Sequence, residues 1–344
     1  MRALIDRLRA GELPGKSELE NLIARRTPEI ERYAAGQALE VREAVYGRDV
    51  FIRGLIEFTS HCKNDCLYCG LRASNRQCAR YRLTEREILD CCAAGYALGF
   101  RTFVLQGGED AYFTDGRLCA LVRAVKAAHP DCALTLSVGE RSAASYRLLR
   151  QAGAERYLLR HETADPAHYA ALHPAAQRFE ARMECLKALK NEGFCVGAGF
   201  MVGSPGQSAA CLARDLEFLY HFRPQMAGIG PFIPHHATPF ANCPPGTLRD
   251  TLFMLSLTRL ILPRALLPAT TALSTIHPQG REMGMLCGAN VVMPNLSPGN
   301  VRGKYLLYDG KLASGAEAAE SLDELKSRMS AAGFRVVVDR GDPR

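Results

Sequence analysis

Two hydrophobic periods alternate along this chain. Short runs of β-branched and aliphatic residues, IRGLIEFT (52–59), TFVLQ (102–106), ALTLSV (133–138) and RYLLRH (156–161), are each followed by a stretch with helical spacing. Four more runs continue the pattern: FCVGAGFM (194–201), QMAGIG (225–230), LLPATT (266–271) and GANVVM (288–293). Helix starts are marked by a capping box, Thr84 with Glu87, and by Asp165 ahead of Pro166. Eight strand–helix units predict an α/β fold, a (β/α)8 TIM-type barrel over residues 50–300. An open doubly wound sheet satisfies the same alternation, but no G-x-G-x-x-G loop follows the first strand. Two helical segments over roughly 17–46 precede that strand, giving an N-terminal helical extension over 1–49. A helix and the strand FRVVV (334–338) form a C-terminal addition over 301–344, and the whole chain, 1–344, is expected to be one barrel domain.

Composition narrows the function classes. With 344 residues, 47% hydrophobic and 23% charged, the chain has ordinary globular composition. No apolar stretch reaches the roughly 20 residues of a spanning helix, and MRALIDRLRAGELPGK is charged where a signal peptide is apolar. The expectation is a cytoplasmic protein with no membrane partner. The net charge of +7 is spread, with basic and acidic residues interleaved, which argues against a nucleic-acid partner. Thirteen cysteines, an odd number without a secretory signal, point to metal or redox chemistry rather than disulfides.

Cys62, Cys66 and Cys69 follow the first strand directly, a spacing that chance would produce about 0.02 times at this cysteine frequency. A structural zinc site normally closes with four ligands, and buried apolar cysteines have no reason to crowd a polar loop. Three thiolates suit an iron-sulfur cubane with one iron left open, and an open iron binds a substrate or cofactor. An electron carrier closes all four positions. Cys78, Cys91, Cys92, Cys119, Cys132, Cys185, Cys195, Cys211, Cys243 and Cys287 lack metal spacing and read as small core residues. His235 and His236, adjacent on the loop after the sixth strand, are a weak second metal candidate.

Other polar residues fall where a barrel places chemistry, at the C-terminal ends of its strands. Strand two ends in Gln106-Gly107-Gly108-Glu109, where glycines either admit a ligand or simply make a turn. Ser137 ends strand three. Arg160 and Glu162 end strand four, as a ligand-binding pair or a mutual salt bridge. Thr270 and Thr271 end strand seven, as anion-gripping hydroxyls or β-branched packing. Gly197, Gly199 and Gly203 around strand five allow a close backbone approach or mark a bulge.

The C-x3-C-x2-C loop after the first strand, with Tyr68 before its last cysteine, resembles that of the radical S-adenosylmethionine (SAM) superfamily. The resemblance implies a [4Fe-4S] cluster on Cys62, Cys66 and Cys69, SAM chelating the open iron, and reductive cleavage to a 5′-deoxyadenosyl radical. It further implies that Tyr68, Gly107, Gly108, Glu109, Ser137, Glu162 and Arg182 hold SAM. Among these, the GGE element serves the methionine ammonium, Glu162 the ribose hydroxyls and Arg182 the methionine carboxylate, while the glycines of strand five approach adenine. Gln106, Arg160, Thr270, Thr271 and Tyr305, with Tyr308 near it, are left for the substrate.

The segments FIRGLIEFTSHCKNDCLYCGLRASN, YLLRHETADP, GPFIPHHATPF and PATTALSTIHPQGREMGMLCGANVVMPNLSP are similar to the HydE family of [FeFe]-hydrogenase maturases over roughly 40–310. That likeness implies attack of the adenosyl radical on the sulfur of a cysteine-bound Fe(CO)2(CN) precursor during diiron subcluster assembly. It also implies the partners HydG and HydF and a low-potential electron donor. The substrate is expected to be small and organometallic or amino-acid-derived. Two departures stand out: YLLYDGKLASGAEAAE (305–320) lacks the cysteines that hold a second cluster in some members, and Ala237 replaces a frequent acidic residue in HHATPF. Alternatives are a methylornithine synthase of the PylB type, a biotin synthase, which needs a sacrificial second cluster, or a non-catalytic iron-sulfur or zinc protein with a fourth ligand.

Overall fold

The computed structural model describes residues 1–312 and 318–344. Three helices open the chain: α1 (Arg2–Arg9), α2 (Lys16–Arg25) and α3 (Pro28–Tyr46). Two were expected. The additional one is α1, which lies ahead of the helical segments expected over 17–46 and buries Ile5 and Leu8 on one face. For α3 the start is written locally: the Thr27 side chain accepts from Ile30 N–H, Pro28 fills the first turn, and Glu29 and Glu31 face the positive end of the helix dipole.

The barrel follows as β1 (Asp49–Ile52), β2 (Gly54–Thr59), α4 (Glu85–Ala97), β3 (Thr102–Gly107), α5 (Asp115–Ala128), β4 (Ala133–Ser137), α6 (Ala143–Ala152) and β5 (Arg156–Leu158). It continues as α7 (Pro166–Leu172), α8 (Phe179–Asn191), β6 (Cys195–Ala198), β7 (Met201–Val202), α9 (Ala209–Phe222), β8 (Met226–Ala227) and β9 (Gly230–Pro231). Last come α10 (Leu248–Ile261), α11 (Thr271–Ile276), α12 (Gly280–Leu286), β10 (Val291–Val292), α13 (Gly299–Arg302), α14 (Leu322–Ala331) and β11 (Arg335–Val337).

Parallel pairing runs β2-β3-β4-β5-β6-β8. Leu266 bridges Met226, Pro268 bridges Val291, and β10 pairs with β1 through Phe51 and Val291, so the ring closes on itself. The eight expected strands therefore form a barrel, and the open sheet is excluded. The seventh is shorter than 266–271: Pro268 cannot donate to a ladder, and Thr271 already begins α11. β11, expected at 334–338, pairs with β1 outside the ring.

Period-two alternation sorts the side chains. Ile56, Phe58, Phe103, Leu105, Leu134, Leu136 and Val196 join helix residues such as Ile88, Leu118, Leu149 and Leu186 in the apolar outer layer. The intervening positions turn into the barrel, and the register sets Glu57, Gln106 and Ser137 side by side near its C-terminal mouth. At the opposite end the tail closes the barrel floor, with Arg156 donating to Asp342 at 2.6 Å and to the Arg340 carbonyl at 3.0 Å. Across the mouth lies the segment 303–312. Gly70 N–H donates to Leu307 O at 2.8 Å, Asp309 N–H to Pro234 O at 3.0 Å, and Lys311 Nζ to Glu57 at 2.5 Å. Residues 313–317 of the cysteine-free stretch 305–320 lie outside the described residues. Among those described, no helix is long and apolar enough to cross a membrane.

Candidate cluster and cofactor site at the barrel mouth

The cysteine loop leaves β2 and is held in shape by groups other than its sulfurs. Arg72 forks onto Asp65 at 2.9 and 2.7 Å, and Ser74 donates to Asp65 through both N–H and hydroxyl. Arg80 gathers loop carbonyls, donating to Ser60, to Leu71 at 2.9 Å and to Arg72 at 2.7 Å. Leu67 N–H donates to Leu172 O at 3.0 Å, tying the loop to α7. These bonds aim the three cysteines at the mouth. Burial above all raises their pKa values, helped by the Glu109 charge at Cys62 and by the neighbouring thiols at Cys66 and Cys69, that of Cys66 to about 11 despite Arg182 nearby.

The sulfur spacing tests which metal fits. Among the described residues, the ligand atoms that gather within 4.8 Å of one another are those of His235, His236 and Asp309, not the three sulfurs. A tetrahedral zinc with 2.3 Å bonds holds its sulfurs roughly 3.8 Å apart, so the loop is too wide for one ion. It suits a polynuclear iron-sulfur core with thiolates at its corners. The donor set fits the cluster and disfavours zinc.

Gly108, just past β3, is required by this loop, and Gly107 by the end of β2. A Cβ on Gly108 would lie 2.7 Å from Cys62 Cβ and overlap the His61 carbonyl, and one on Gly107 would lie 2.6 Å from Thr59 Cγ2. Next, Glu109 accepts from Glu140 N–H at 2.9 Å and stands 3.4 Å from Lys63 Nζ. Glu140 was not singled out in the sequence. It receives Arg182 Nε at 2.5 Å, while Arg182 Nη1 donates to Arg160 O at 2.6 Å. Arg182 is thus a buried wall residue rather than a solvated helix arginine. Gly139-Glu140 after β4 repeats the Gly108-Glu109 pair after β3, a signal that could have marked it.

Tyr68 is placed by His173, also unforeseen. His173 Nδ1 donates to Tyr169 O at 2.9 Å, so its Nε2 accepts from the Tyr68 hydroxyl at 3.2 Å. Burial lowers the His173 pKa to about 4, keeping the ring neutral. Gln177 accepts from Cys66 Sγ at 3.3 Å.

On the opposite wall, Glu162 follows β5 with φ of +64°, a left-handed conformation unusual for a side chain of this size. Its N–H donates to Gly199 O at 3.0 Å and its carbonyl accepts from Met201 N–H at 3.1 Å. Gly199 is obligatory because a Cβ there would overlap the Gly228 carbonyl, and Gly203 for the same reason against Gly246. Arg160 Nη2 approaches Glu162 Oε2 at 3.1 Å, the salt bridge the sequence allowed, without hydrogen-bond geometry. Buried Arg160 Nε and Nη2, Glu162 Oε2 and Thr270 Oγ1 find no hydrogen-bond partner in the chain. Thr270 faces Gly230, Thr271 lies within α11, and Ser137 and Gln106 are paired in register. Tyr305 is buried and shares a hydrogen bond with Gln106.

A groove of about 860 Å³ outside the barrel, floored by Phe179, Met183, Phe218 and Phe222, shares no residue with this constellation. The inward, unsatisfied polar atoms at the mouth mark the site instead.

Residues 56–219 match the model of the Radical SAM superfamily. The chain is 46% identical over 273 residues to the [FeFe] hydrogenase maturase subunit HydE of Thermotoga maritima, covering 79% of this chain and 78% of the relative. It is 30% identical to the 3-methylornithine synthase of Methanosarcina acetivorans, covering 74% and 72%. The crystal structure of methylornithine synthase (PylB) superposes with a TM-score of 0.86 at 26% identity over 97% of both chains. The maturase HydG from Carboxydothermus hydrogenoformans shares the fold, with a TM-score of 0.81 at 21% identity over 96% of this chain and 78% of that one. With cysteines spread for a cluster at a barrel mouth and nearly half its residues identical across the aligned length of a HydE, the chain belongs to the radical SAM superfamily, in the HydE family of hydrogenase maturases.

Proposed function

We propose that this protein matures the active site of [FeFe]-hydrogenase by radical attack on the sulfur of a small cysteine-bound Fe(CO)2(CN) substrate. One observation carries the reading: beside the Arg160–Glu162 ion pair at 3.1 Å, buried Arg160 Nε and Thr270 Oγ1 have no hydrogen-bond partner in the chain, and the paired Arg160 Nη2 and Glu162 Oε2 lack hydrogen-bond geometry, which leaves polar groups for ligands to complete. When bound, the cluster and SAM supply one-electron cleavage of the sulfonium and a 5′-deoxyadenosyl radical for assembly of the diiron subcluster. Cys62, Cys66 and Cys69 hold the three closed corners of the cluster. Glu109, with Gly107 and Gly108, receives the methionine ammonium. Arg182, oriented by Glu140, meets the carboxylate, and Glu162 accepts the ribose hydroxyls. Arg160 and Thr270, with Thr271, Gln106 and Tyr305 beside them, grip the anionic substrate. The segment 303–312 excludes water from the mouth, which protects a radical from quenching.

The whole chain acts as one domain in the cytoplasm, with HydG and HydF as functional partners and a low-potential donor supplying electrons. The deciding experiment is mass spectrometry of an anaerobic, reduced reaction with SAM, comparing the cysteine-bound iron dicarbonyl cyanide complex with lysine. An adenosyl adduct on the cysteine sulfur is expected. A product from lysine would move the chain to the methylornithine branch.

A further inference from the structure

His161 and Asp215 form a buried pair behind the Glu162 wall, and no step so far uses them. Both are fully buried, 54 residues apart in the chain, with His161 Nε2 3.2 Å from Asp215 Oδ1. The ring's protonation follows from its neighbours. Gly199 N–H donates to Nδ1 at 3.2 Å, so Nδ1 carries no proton and Nε2–H donates to Asp215. Asp215 Oδ1 also accepts from Ala164 N–H at 2.6 Å, and its Oδ2 has no partner. Phe200 and Phe218 pack on the imidazole, with ring centroids 5.9 and 4.5 Å away.

These bonds surround Glu162. Asp215, on α9, grips the backbone two residues beyond it and, through His161, the residue before it. His161 holds Gly199 N–H, and Gly199 O in turn holds Glu162 N–H at 3.0 Å. The left-handed turn is thereby clamped from both sides to β6 and α9. A buried polar pair with an unsatisfied oxygen is often no more stabilising than an apolar pair of similar volume, which turns attention from stability to the conformation the pair holds.

We propose that His161 and Asp215 are positioning residues that hold Glu162 in its left-handed conformation and so set its carboxylate for the ribose of SAM. The inference rests on the reading that Glu162 accepts the ribose hydroxyls.

The test measures SAM dissociation constants by equilibrium dialysis on the cluster-reconstituted enzyme, with iron and sulfide content and melting temperature alongside. Glu162→Gln is expected to weaken SAM binding at least tenfold, and Asp215→Leu about tenfold, a loss of ~1.4 kcal/mol, with cluster content unchanged. Asp215→Asn keeps the oxygen that accepts both hydrogen bonds and is expected to stay within twofold of wild type. A merely structural role would cost as much again in the double variant. Positioning instead predicts that Asp215→Leu adds less than twofold on a Glu162→Gln background. If Asp215→Leu does not fold, His161→Gln carries the same comparison. Wild-type SAM affinity in Glu162→Gln would overturn the ribose reading and this inference with it. A weakened Glu162→Gln beside wild-type affinity in Asp215→Leu or His161→Gln, or full additivity in the double variant, would overturn the positioning role alone.

Discussion

Replacing Gly108 with alanine adds one methyl group at the point where β3 presses on the cysteine loop. The new Cβ would stand 2.7 Å from Cys62 Cβ, whereas ordinary contact begins near 3.4 Å, so Cys62 must retreat by about 0.7 Å. The His61 carbonyl must give way as well. Overpacking of this kind costs about 1–3 kcal/mol, tolerable for the fold. Metal ligands, however, hold position to about 0.2 Å, so the same shift is several times what a cluster corner accepts. Gly108→Ala should therefore fold, melt a few degrees lower, and retain less than half the wild-type iron and sulfide after anaerobic reconstitution. Gly116→Ala is the matched control. Its Cβ meets only Thr114 Oγ1 at 4.0 Å, and alanine suits the helix, so iron content should be unchanged. Wild-type cluster content in Gly108→Ala would refute the claim that this glycine serves the loop.

Alanine at Cys62, Cys66 or Cys69 should abolish the EPR signal of the reduced cluster, and full SAM cleavage by any one variant would contradict the three-ligand assignment. Asp65 is held below the ordinary carboxylate value of about 3.9 by Arg72, with Ser74 assisting against a small burial effect. A lowered folded-state pKa stabilises above the ordinary value and is lost as pH falls through the folded one. Asp65→Asn should thus lower the melting temperature of the metal-free chain at pH 7, with the gap to wild type narrowing steadily below about pH 4; a gap constant with pH would rule the clamp out. Lys311 and Glu57 are a buried pair at 2.5 Å, and burial pushes the Glu57 pKa up against that cation. Lys311→Met should cost about 3–5 kcal/mol in guanidinium denaturation, most of it recovered in the Glu57→Gln/Lys311→Met double variant. A loss under about 1 kcal/mol would show the pair to be solvated.

The barrel was legible because parallel strands covered on both faces must be apolar throughout, so TFVLQ and ALTLSV announce themselves. Strand seven was overread since a proline and a helix start hide inside an apolar run. The helix α1 was missed because its eight residues span barely two turns, too short a stretch for the spacing of Leu4, Ile5 and Leu8 to establish a period. At the site, the cysteine spacing is local and survives in the sequence. The roles of Glu140, His173 and Asp215 are not local: each depends on a partner far along the chain that the fold brings into contact, Arg182 for Glu140, Tyr68 for His173 and Ala164 for Asp215. Arg182 shows the difference plainly, since nothing in RFEARMECLKALK tells that its guanidinium is buried against Glu140.

The loop carrying the three cysteines is held by Asp65, Arg72, Ser74 and Arg80, none of them through a sulfur. Its shape therefore precedes its cargo. If oxygen dismantles the inorganic core, the receptacle is expected to outlast it, so that one polypeptide is refilled in place rather than refolded or replaced. On that expectation its working lifetime is counted in rounds of repair rather than in the survival of a single cluster.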